Sequence, residues 1–367
     1  MKKAIILILF LTLLVCLCSC SGEVRGERVE FQKTGNCVHD NIWEIAEYDN
    51  ALFFGTGDGN ANTGPTTIWA YSLSEDRFFE SGVLNEEVIN RFVIIDGTLV
   101  APGIDPTEKN KTCNYNYYEN GEWKRYRNIY PTQHCLDIIK YKDHVLYGVD
   151  GELSFYTVFM STDGGESYKK PVFYKNGEQV FGMINGRVYD FVEFKGELYA
   201  FLTLGVNTKS TTVDIYKYDY ENVKFDYFSS ITDQVIFRHY VNFSPIGSKV
   251  VSDNCVYIAT PLGYYTKDMK VFEKINIDES KVLFDYCVDG DTLYALCSKI
   301  FSDGSCETSV LSKNLSSDEE FKELFYFNSE YYCLSFIKNG NTFFFGTADV
   351  MGNGSEKGAV LTVEWSK

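Results

Sequence analysis

The sequence predicts an all-β protein, a single seven-bladed β-propeller of four-stranded blades that is closed by its N- and C-terminal strands. Three observations support this fold class. A short unit recurs seven times, strand-like segments lie between its copies, and no long stretch after the first twenty residues keeps a helical period. The 367 residues are 45% hydrophobic and 16% aromatic, which excludes a disordered chain.

The recurring unit consists of an apolar strand, a turn of Gly, Asp or Asn, and a second apolar strand. Its seven copies are residues 44–54, 91–101, 137–147, 190–200, 248–258, 285–295 and 335–345. Their second strands begin 47, 46, 53, 58, 37 and 50 residues apart, close to the roughly 40 to 50 residues of one propeller blade. Seven such blades can form a closed ring, which leaves no open sheet edge.

Further strands are expected between the copies, because segments such as 67–73, 212–218 and 224–228 are rich in Tyr, Phe, Val and Thr. The chain also ends with a strand-like run, residues 359–365, and the mature chain begins with another, residues 28–32. We expect these two runs to pair and complete the seventh blade.

Residues 1–20 have the features of an export signal. Lys2 and Lys3 precede an apolar run at residues 4–17 that is too short to be a comfortable membrane-spanning helix. The run ends in Leu17-Cys18-Ser19-Cys20, which resembles the lipobox of bacterial lipoproteins and implies that Cys20 is lipidated. The alternative is a plain secretory signal that leaves Cys20 as a thiol. Residues 21–367 then form one propeller domain, exported and lipid-anchored in the bacterial cell envelope.

The charge of the chain limits its partners. A formal net charge of −17 and a pI near 4.7 exclude a nucleic-acid partner, since binding to phosphates requires clustered Lys and Arg. The same charge disfavours electrostatic binding to an anionic membrane, so the lipid on Cys20 is the expected membrane contact. A monomer is expected.

Eight cysteines follow Cys20: Cys37, Cys113, Cys135, Cys255, Cys287, Cys297, Cys306 and Cys333. An exported chain can form disulfides, and Cys297 and Cys306 flank a turn-like stretch that favours a cross-strand bridge. The mature chain has no C-x-x-C spacing, and its four histidines are scattered, so the sequence predicts no zinc or other dedicated metal site.

One octapeptide carries a family resemblance. Residues 161–168, with Ser161, Asp163, Gly165, Ser167 and Tyr168, fit S-x-D-x-G-x-[ST]-[WY]. This segment resembles the Asp-box, or BNR repeat, of sialidase-like propellers. The resemblance implies a tight outer hairpin, a Gly at positive φ and an aromatic side chain packed between blades. It extends to the fold alone, because the chain has no R-I-P-like segment and fold does not confer activity.

The first residue of each recurring unit is the candidate for a ring around the central channel, since equivalent positions of a closed propeller lie at equal depth. The charged members are Glu44, Arg91, Asp137, Asp190 and Asp285, and Ser248 and Ser335 complete the set. These side chains could bind a cation or pair with one another. In the alternative, each aspartate is a structural residue bonded to the backbone of its own blade. No cofactor is predicted apart from this unproven channel cation.

A ligand site is expected at one end of the channel. Asn41, His134 and Arg187 lie three residues before ring positions, which favours a polar mouth, and His134 could act as an acid or base. Two Gly- and Asp-rich loops add further candidates, and turn formation is the alternative for both. The ligand-binding candidates are Asp58, Asn60, Arg91, Asp105, Glu108, His134 and Arg187. A tyrosine cluster, Tyr115, Tyr117 and Tyr118, could stack on a sugar or pack within its blade.

Three functions are compatible with these features. The first is a surface-tethered propeller that binds a glycan or a protein ligand through its loop face. The alternative is a carbohydrate-active enzyme, a hydrolase or lyase that uses Asp58 and Asp105 with Arg91 or Arg187. The third is a structural lipoprotein that serves as a scaffold. An enzyme requires these side chains to converge in one pocket, and a channel mouth filled by packed side chains disfavours it.

Overall fold

A computed structural model describes residues 25–37, 41–57, 64–107, 113–129, 132–150, 157–180, 186–204, 212–232, 248–260, 262–348 and 358–366. All regular secondary structure within these ranges is β-strand. The strands form a propeller of seven four-stranded blades, so the predicted fold class is confirmed. Within the same ranges, no helix has the length and apolar character needed to cross a bilayer.

The first half of the chain forms two N-terminal strands and blades 1 to 3. The N-terminal strands are β1 (Glu27–Arg28) and β2 (Gln32–Asn36). Blade 1 contains β3 (Ile42–Tyr48), β4 (Ala51–Thr56), β5 (Thr66–Ser72) and β6 (Arg77–Leu84). Blade 2 follows β7 (Glu86–Val88) and spans β8 (Val93–Ile95), β9 (Thr98–Pro102), the short β10 (Ile104–Pro106), β11 (Cys113–Glu119) and β12 (Glu122–Ile129). Blade 3 contains β13 (His134–Tyr141), β14 (His144–Asp150) and β15 (Val158–Ser161).

The second half forms blades 4 to 7. Blade 4 follows β16 (Val172–Lys175) and β17 (Glu178–Gln179) and contains β18 (Gly186–Phe194), β19 (Glu197–Leu204), β20 (Thr212–Asp219) and β21 (Lys224–Thr232). Blade 5 contains the short strands β22 (Lys249–Val251), β23 (Val256–Ile258), β24 (Tyr264–Thr266) and β25 (Glu273–Lys274). Blade 6 contains β26 (Val282–Asp289), β27 (Thr292–Ile300), β28 (Cys306–Asn314) and β29 (Lys322–Ser329). Blade 7 contains β30 (Tyr332–Asn339), β31 (Thr342–Ala348) and β32 (Ala359–Glu364).

The ring closes through the two ends of the chain. Strand β2 pairs antiparallel with β32 and supplies the fourth strand of blade 7, with Asn36 opposite Ala359. The sequence places the N-terminal closing strand at residues 28–32, whereas the structure places it at Gln32–Asn36. Residues Glu27–Arg28 instead pair in parallel with β29 on the outer edge of blade 6.

Besides blade 6, which β1 extends, blades 3 and 4 depart from the simple four-stranded pattern. In blade 3 the segment that follows β15 contacts the sheet through a single β-bridge, between Met160 and Lys169. The next strand, β16, instead pairs in parallel with β21 of blade 4. Near the channel, β7 and β10 extend the sheet of blade 3 inward, because β10 pairs with both β7 and β13. This inward extension positions one of the candidate site residues.

Among the described residues, seven clusters of the hydrophobic core each lie at a contact between neighbouring blades, and an eighth lies near the centre of the ring. Phe53 and Leu99 belong to the cluster between blades 1 and 2, and Phe344 and Leu52 belong to the cluster between blades 7 and 1. The remaining interfaces are filled in the same way. Alternating apolar residues of each strand therefore bury one face of a blade against the next.

The predicted disulfide between Cys297 and Cys306 is wrong. Both side chains are free thiols, and in the ladder between β27 and β28 the residue opposite Cys306 is Ile300. Cys297 lies three residues before Ile300, so the two thiols point to opposite faces of the sheet. Cys297 packs between blades 5 and 6, and Cys306 packs between blades 6 and 7.

Candidate functional site

A β-bulge positions most of the ring residues. In the first strand of five blades the ladder shifts by one residue just before the ring position. The five ring residues that follow a bulge are Glu44, Asp137, Asp190, Asp285 and Ser335. A bulge bends the strand and changes the direction of the next side chain. The ring side chains can therefore reach a neighbouring blade.

Ring residues of five blades form hydrogen bonds with the main chain of the following blade. The Glu44 carboxylate accepts a bond from the Phe92 amide at 2.7 Å, and Asp137 accepts one from the Phe191 amide at 2.7 Å. The same type of bond occurs between Phe336 N–H and Asp285, at 2.9 Å, and between Tyr286 N–H and Ser248 Oγ, at 2.8 Å. In the last blade, Ser335 Oγ donates to the Ile42 carbonyl at 3.0 Å. Five of the seven blade interfaces thus contain a hydrogen bond between a ring side chain and the main chain of the next blade.

Four charged side chains from blades 2 to 5 meet at the centre. The Arg91 guanidinium lies 2.9 Å from Asp190 Oδ1 and 3.4 Å from Asp137 Oδ2, and it donates to the Tyr189 carbonyl at 3.0 Å. Lys249 Nζ lies 3.0 Å from Asp137 Oδ2 and also bonds to Asp190. Asp137 and Asp190 are almost fully buried. Two cations therefore neutralise two carboxylates here, which leaves these carboxylates little capacity to hold a metal cation.

Sequence reasoning missed Lys249. It follows the ring position Ser248 in blade 5, where the other six blades have an apolar or aromatic residue: Ile45, Phe92, Ile138, Phe191, Tyr286 and Phe336. A lysine at a position that is otherwise apolar in every repeat is the signal that could have found it.

Three carboxyls of the ring have pKa values shifted from the usual range. Burial raises the pKa of Glu44 to about 8, against the opposing charge of Arg91. Burial also raises the pKa of Asp285 to about 6, although hydrogen bonds from Ser248 and the Phe336 amide oppose this shift. For Asp137, burial alone would raise the pKa, but the charges of Lys249 and Arg91 lower it below the usual value. The direction of each shift follows from whether a cation lies beside the carboxyl.

An apolar plug fills the centre of the ring beside the charged residues. Trp43, Leu136 and Tyr189, the bulge residues of blades 1, 3 and 4, pack with Val88 and Ile104. Side chains from blades that are not neighbours can meet only near the axis. The Trp43 indole N–H also donates to the Gly57 carbonyl at 2.8 Å. The channel on the side of blades 1 to 4 is therefore filled by packed side chains.

A polar pair lies at the end of the ring where the first strands begin. His134 Nε2 is 2.8 Å from Asp105 Oδ1, and about a third of the Asp105 side chain is exposed, at 31%. Asp105 adopts φ 53° between Ile104 and Pro106, a left-handed conformation that Asp tolerates better than most residues. The sequence suggested a loop here, but Asp105 lies in β10, because Ile104 pairs with Val88 on one side and His134 on the other.

The other candidates are distributed as follows. Arg187 lies on β18 at the same end of its blade, half-buried and paired in register with Thr203. Arg91 lies deeper, in the charged network. Asp58, Asn60, Glu108 and Cys20 lie outside the described residues. Among the residues that are described, no group of three or more His, Cys, Asp or Glu side chains is arranged to hold a metal ion.

The Asp-box segment forms a closed turn on the outer side of blade 3. Ser161 Oγ accepts from the Gly165 amide at 2.8 Å, and Asp163 accepts from the amide and the hydroxyl of Ser167 at 3.0 and 2.5 Å. Gly165 has φ 92°, and Tyr168 packs on Tyr147. These contacts make the segment a structural turn far from the channel, and they do not establish a sialidase-like identity.

A related turn in blade 5 was not recognised in the sequence. Thr266 Oγ1 accepts from the Met269 amide at 2.9 Å, and Asp268 Oδ1 accepts from the Lys270 and Val271 amides at 2.8 and 2.9 Å. The turn is one residue shorter than the motif, and Met269 occupies the positive-φ position at 61°. A search for the full spacing therefore cannot find it.

The tyrosine cluster of blade 2 packs inside the propeller. Tyr115 is buried between blades 2 and 3 with Tyr117 against it, and Tyr118 packs on Phe53 in the interface with blade 1. Of the two interpretations of these tyrosines, the structure favours packing within the blade.

Solved structures with the same fold are numerous. A putative 6-phosphogluconolactonase from Bacteroides uniformis ATCC 8492 has a TM-score of 0.53 and 11% identity, over 81% of this chain and 89% of that chain. The Dos1 propeller has a TM-score of 0.51 and 10% identity, over 94% of this chain and 95% of that one. A second putative 6-phosphogluconolactonase, from Bacteroides fragilis NCTC 9343, has a TM-score of 0.50 and 8% identity, over 88% and 97% of the two chains. At such identities the likeness shows the fold alone.

The comparison with curated proteins gives no match. A family model described as KIB1-4 beta-propeller matches residues 85–273, just over half of the chain. The matched region extends from β7 through blade 5 and so includes Arg91, Asp137, Asp190 and Lys249, the charged network of the channel. On this match, the chain belongs to the KIB1-4 β-propeller family.

Proposed function

We propose that this protein is an envelope-anchored bacterial lipoprotein whose propeller binds a polar ligand, a glycan in the first instance, at the end of the ring that carries Asp105 and His134. The observation that supports this proposal is their hydrogen-bonded pair, which is partly exposed beside a channel filled by apolar side chains. A carboxylate and an imidazole side by side can donate to and accept from the hydroxyl groups of a sugar.

The burial and pairing of the ring carboxylates favour binding over catalysis. Glycoside hydrolysis needs two carboxylates roughly 5 to 10 Å apart across the scissile bond. Within the described residues, Asp137 and Asp190 lie close together, but both are buried and bonded to Arg91 and Lys249. They are therefore poorly suited to contact a substrate. These observations support the binding propeller over the carbohydrate-active enzyme.

The experiment is a glycan-array screen of the purified mature chain together with two matched variants. Asp105→Asn removes the charge at the proposed site, and Asn tolerates the same positive φ. Asp96→Asn is the control, because Asp96 also has positive φ, at 51°, and its carboxylate pairs with Lys140, but it lies in the turn between β8 and β9 at the opposite end of the ring.

The expected result is binding that falls at least about tenfold in Asp105→Asn, equivalent to about 1.4 kcal/mol, and is unchanged in Asp96→Asn. Equal binding by all three proteins would place the ligand elsewhere. No binding to any glycan would refute the glycan assignment and direct the search to a protein ligand of the same surface.

A further inference from the structure

The N-terminal arm, residues 25–31, is docked on the outer edge of blade 6. Its strand β1 runs parallel to β29, with Glu27 opposite Phe325 and Arg28 opposite Tyr326. The Val29 amide extends this ladder by donating to the Tyr326 carbonyl at 2.9 Å. Val29 and Phe31 then pack on the core between blades 6 and 7, with Phe31 5.3 Å from Phe327 between ring centroids. The arm is thus an integral fifth strand of blade 6.

Arg25 fixes the start of this arm electrostatically. Glu307 and Glu323, both nearly buried, share one lysine, since Lys281 Nζ lies 2.5 Å from Glu323 and 3.5 Å from Glu307. Arg25 provides the second positive charge: it pairs with Glu307, lies 3.7 Å from Glu323, and stacks 3.7 Å above the Tyr326 ring. Without the arm, two nearly buried carboxylates would be left with a single cation, which is unfavourable.

Gly26 allows the close approach of the two backbones. Its amide donates to Glu323 at 3.0 Å, and a Cβ at this position would lie 2.8 Å from the Leu324 carbonyl carbon. A larger residue at position 26 therefore cannot occupy the docked position without moving the backbone of β29.

The distance from Cys20 to this docked arm is short. Only four residues separate Cys20 from Arg25, and the five Cα-to-Cα steps between them span at most about 18 Å when fully extended. In a ring of seven blades, blades 2 and 3 are the farthest from blade 6.

We propose that the outer edge of blade 6 faces the lipid bilayer, with blades 2 and 3 farthest from it and the end of the ring that carries Asp105 and His134 opening sideways. This inference rests on the lipid anchor of the proposed function. The partner of the blade 6 edge is the bilayer surface itself, because only four residues separate the lipidated Cys20 from the docked arm. The arm thus sets the orientation of the whole propeller.

The experiment compares two matched probe positions on the lipidated protein. Lys322 and Glu122 are both exposed and are the first residues of β29 and β12, the fourth strands of blades 6 and 2. Lys322→Cys and Glu122→Cys, each labelled with a fluorophore, are inserted into phosphatidylcholine and phosphatidylglycerol vesicles that carry a nitroxide quencher on the lipid headgroup. The unsubstituted protein gives the labelling background, since six of the seven described native thiols are buried.

We expect the probe at 322 to be quenched at least about threefold more than the probe at 122. Two further variants test the cause of this difference. Gly26→Val blocks docking and lengthens the free segment to β2. A twenty-residue Gly/Ser insertion between Ser21 and Gly22 leaves docking intact but adds about 25 Å of flexible reach. Both variants should remove the difference.

Equal quenching at both positions in the lipidated protein, or stronger quenching at 122, would overturn the proposed orientation. A persistent difference in Gly26→Val and in the insertion variant would show that the arm is not its cause, which also overturns it. Mass measurement of the N-terminal peptide separates a wrong orientation from failure of the anchor. An unacylated Cys20 would refute the anchoring and the orientation that depends on it.

Discussion

Replacing Asp137 by Asn tests the role of the charged network at the centre of the ring. The amide retains an acceptor for the Phe191 N–H but removes one of the two negative charges that face Arg91 and Lys249. Asp190 then remains as the single carboxylate in contact with both cations. The network changes from neutral to one net positive charge in a nearly buried position.

The expected destabilisation is about 3 kcal/mol, because removing one partner of a buried ion pair typically costs about 3–5 kcal/mol and Asn preserves the hydrogen bond. The exposed pair of Asp96 and Lys140 provides the control: Asp96→Asn should cost less than about 1 kcal/mol. Removing the unbalanced cation as well should recover part of the loss, so the double variant Asp137→Asn, Lys249→Met should be more stable than additivity predicts by at least about 1 kcal/mol.

The assay is unfolding in urea followed by both tryptophan fluorescence and far-UV circular dichroism. Coincident transitions with the two probes allow the free energies of unfolding to be compared. The charge balance of the network does not stabilise the ring if Asp137→Asn and Asp96→Asn lower the free energy of unfolding by amounts within about 0.5 kcal/mol of each other. Strict additivity in the double variant would also refute this role.

Two further predictions concern acidity and backbone conformation. Burial raises the pKa of Asp285 to about 6, so the folded state binds the proton of this carboxyl more tightly than the unfolded chain does. The stability that this proton contributes is present below about pH 4 and is lost as the pH rises through about 6. The free energy of unfolding of Asp285→Asn relative to the unsubstituted protein should therefore increase between pH 4.5 and 7.5, and a decrease would contradict the raised pKa. Gly165→Ala should lower the thermal midpoint of unfolding more than Gly164→Ala. Both glycines have positive φ, but a Cβ at 165 would lie 2.5 Å from the Tyr115 hydroxyl, whereas one at 164 meets nothing within 4 Å. Equal midpoints of the two variants in calorimetry would contradict this contact.

The repeat unit was sufficient to predict the blades and the positions that begin their first strands, because both depend on local patterns of apolar, polar and turn residues. The contacts of those positions depend on pairing between blades. The bond from the Phe191 amide to Asp137 requires a bulge whose register is set by the partner strand, and no pattern within residues 137–147 encodes it. Lys249 was missed for a similar reason, since its partners lie in blades 3 and 4.

Local signals failed where a distant strand determined the conformation. Gly103 and Pro106 favour a turn around Asp105, but pairing with Val88 and His134 makes this segment a strand. The turn-like spacing of Cys297 and Cys306 likewise gives proximity along the chain without giving the face of the sheet on which each thiol lies. Successive side chains of a strand point to opposite faces of the sheet, and the observed register therefore places the two thiols in different hydrophobic clusters.

The pairing of β2 with β32 means that the ring cannot close until residues near 359 have been synthesised. Asn36 emerges early, yet its partner Ala359 is made 323 residues later (359 − 36). Until then β2 and β31, the two strands that pair with β32, each lack this neighbour. A chain that stops before residue 359 therefore leaves strand edges free to pair with other chains.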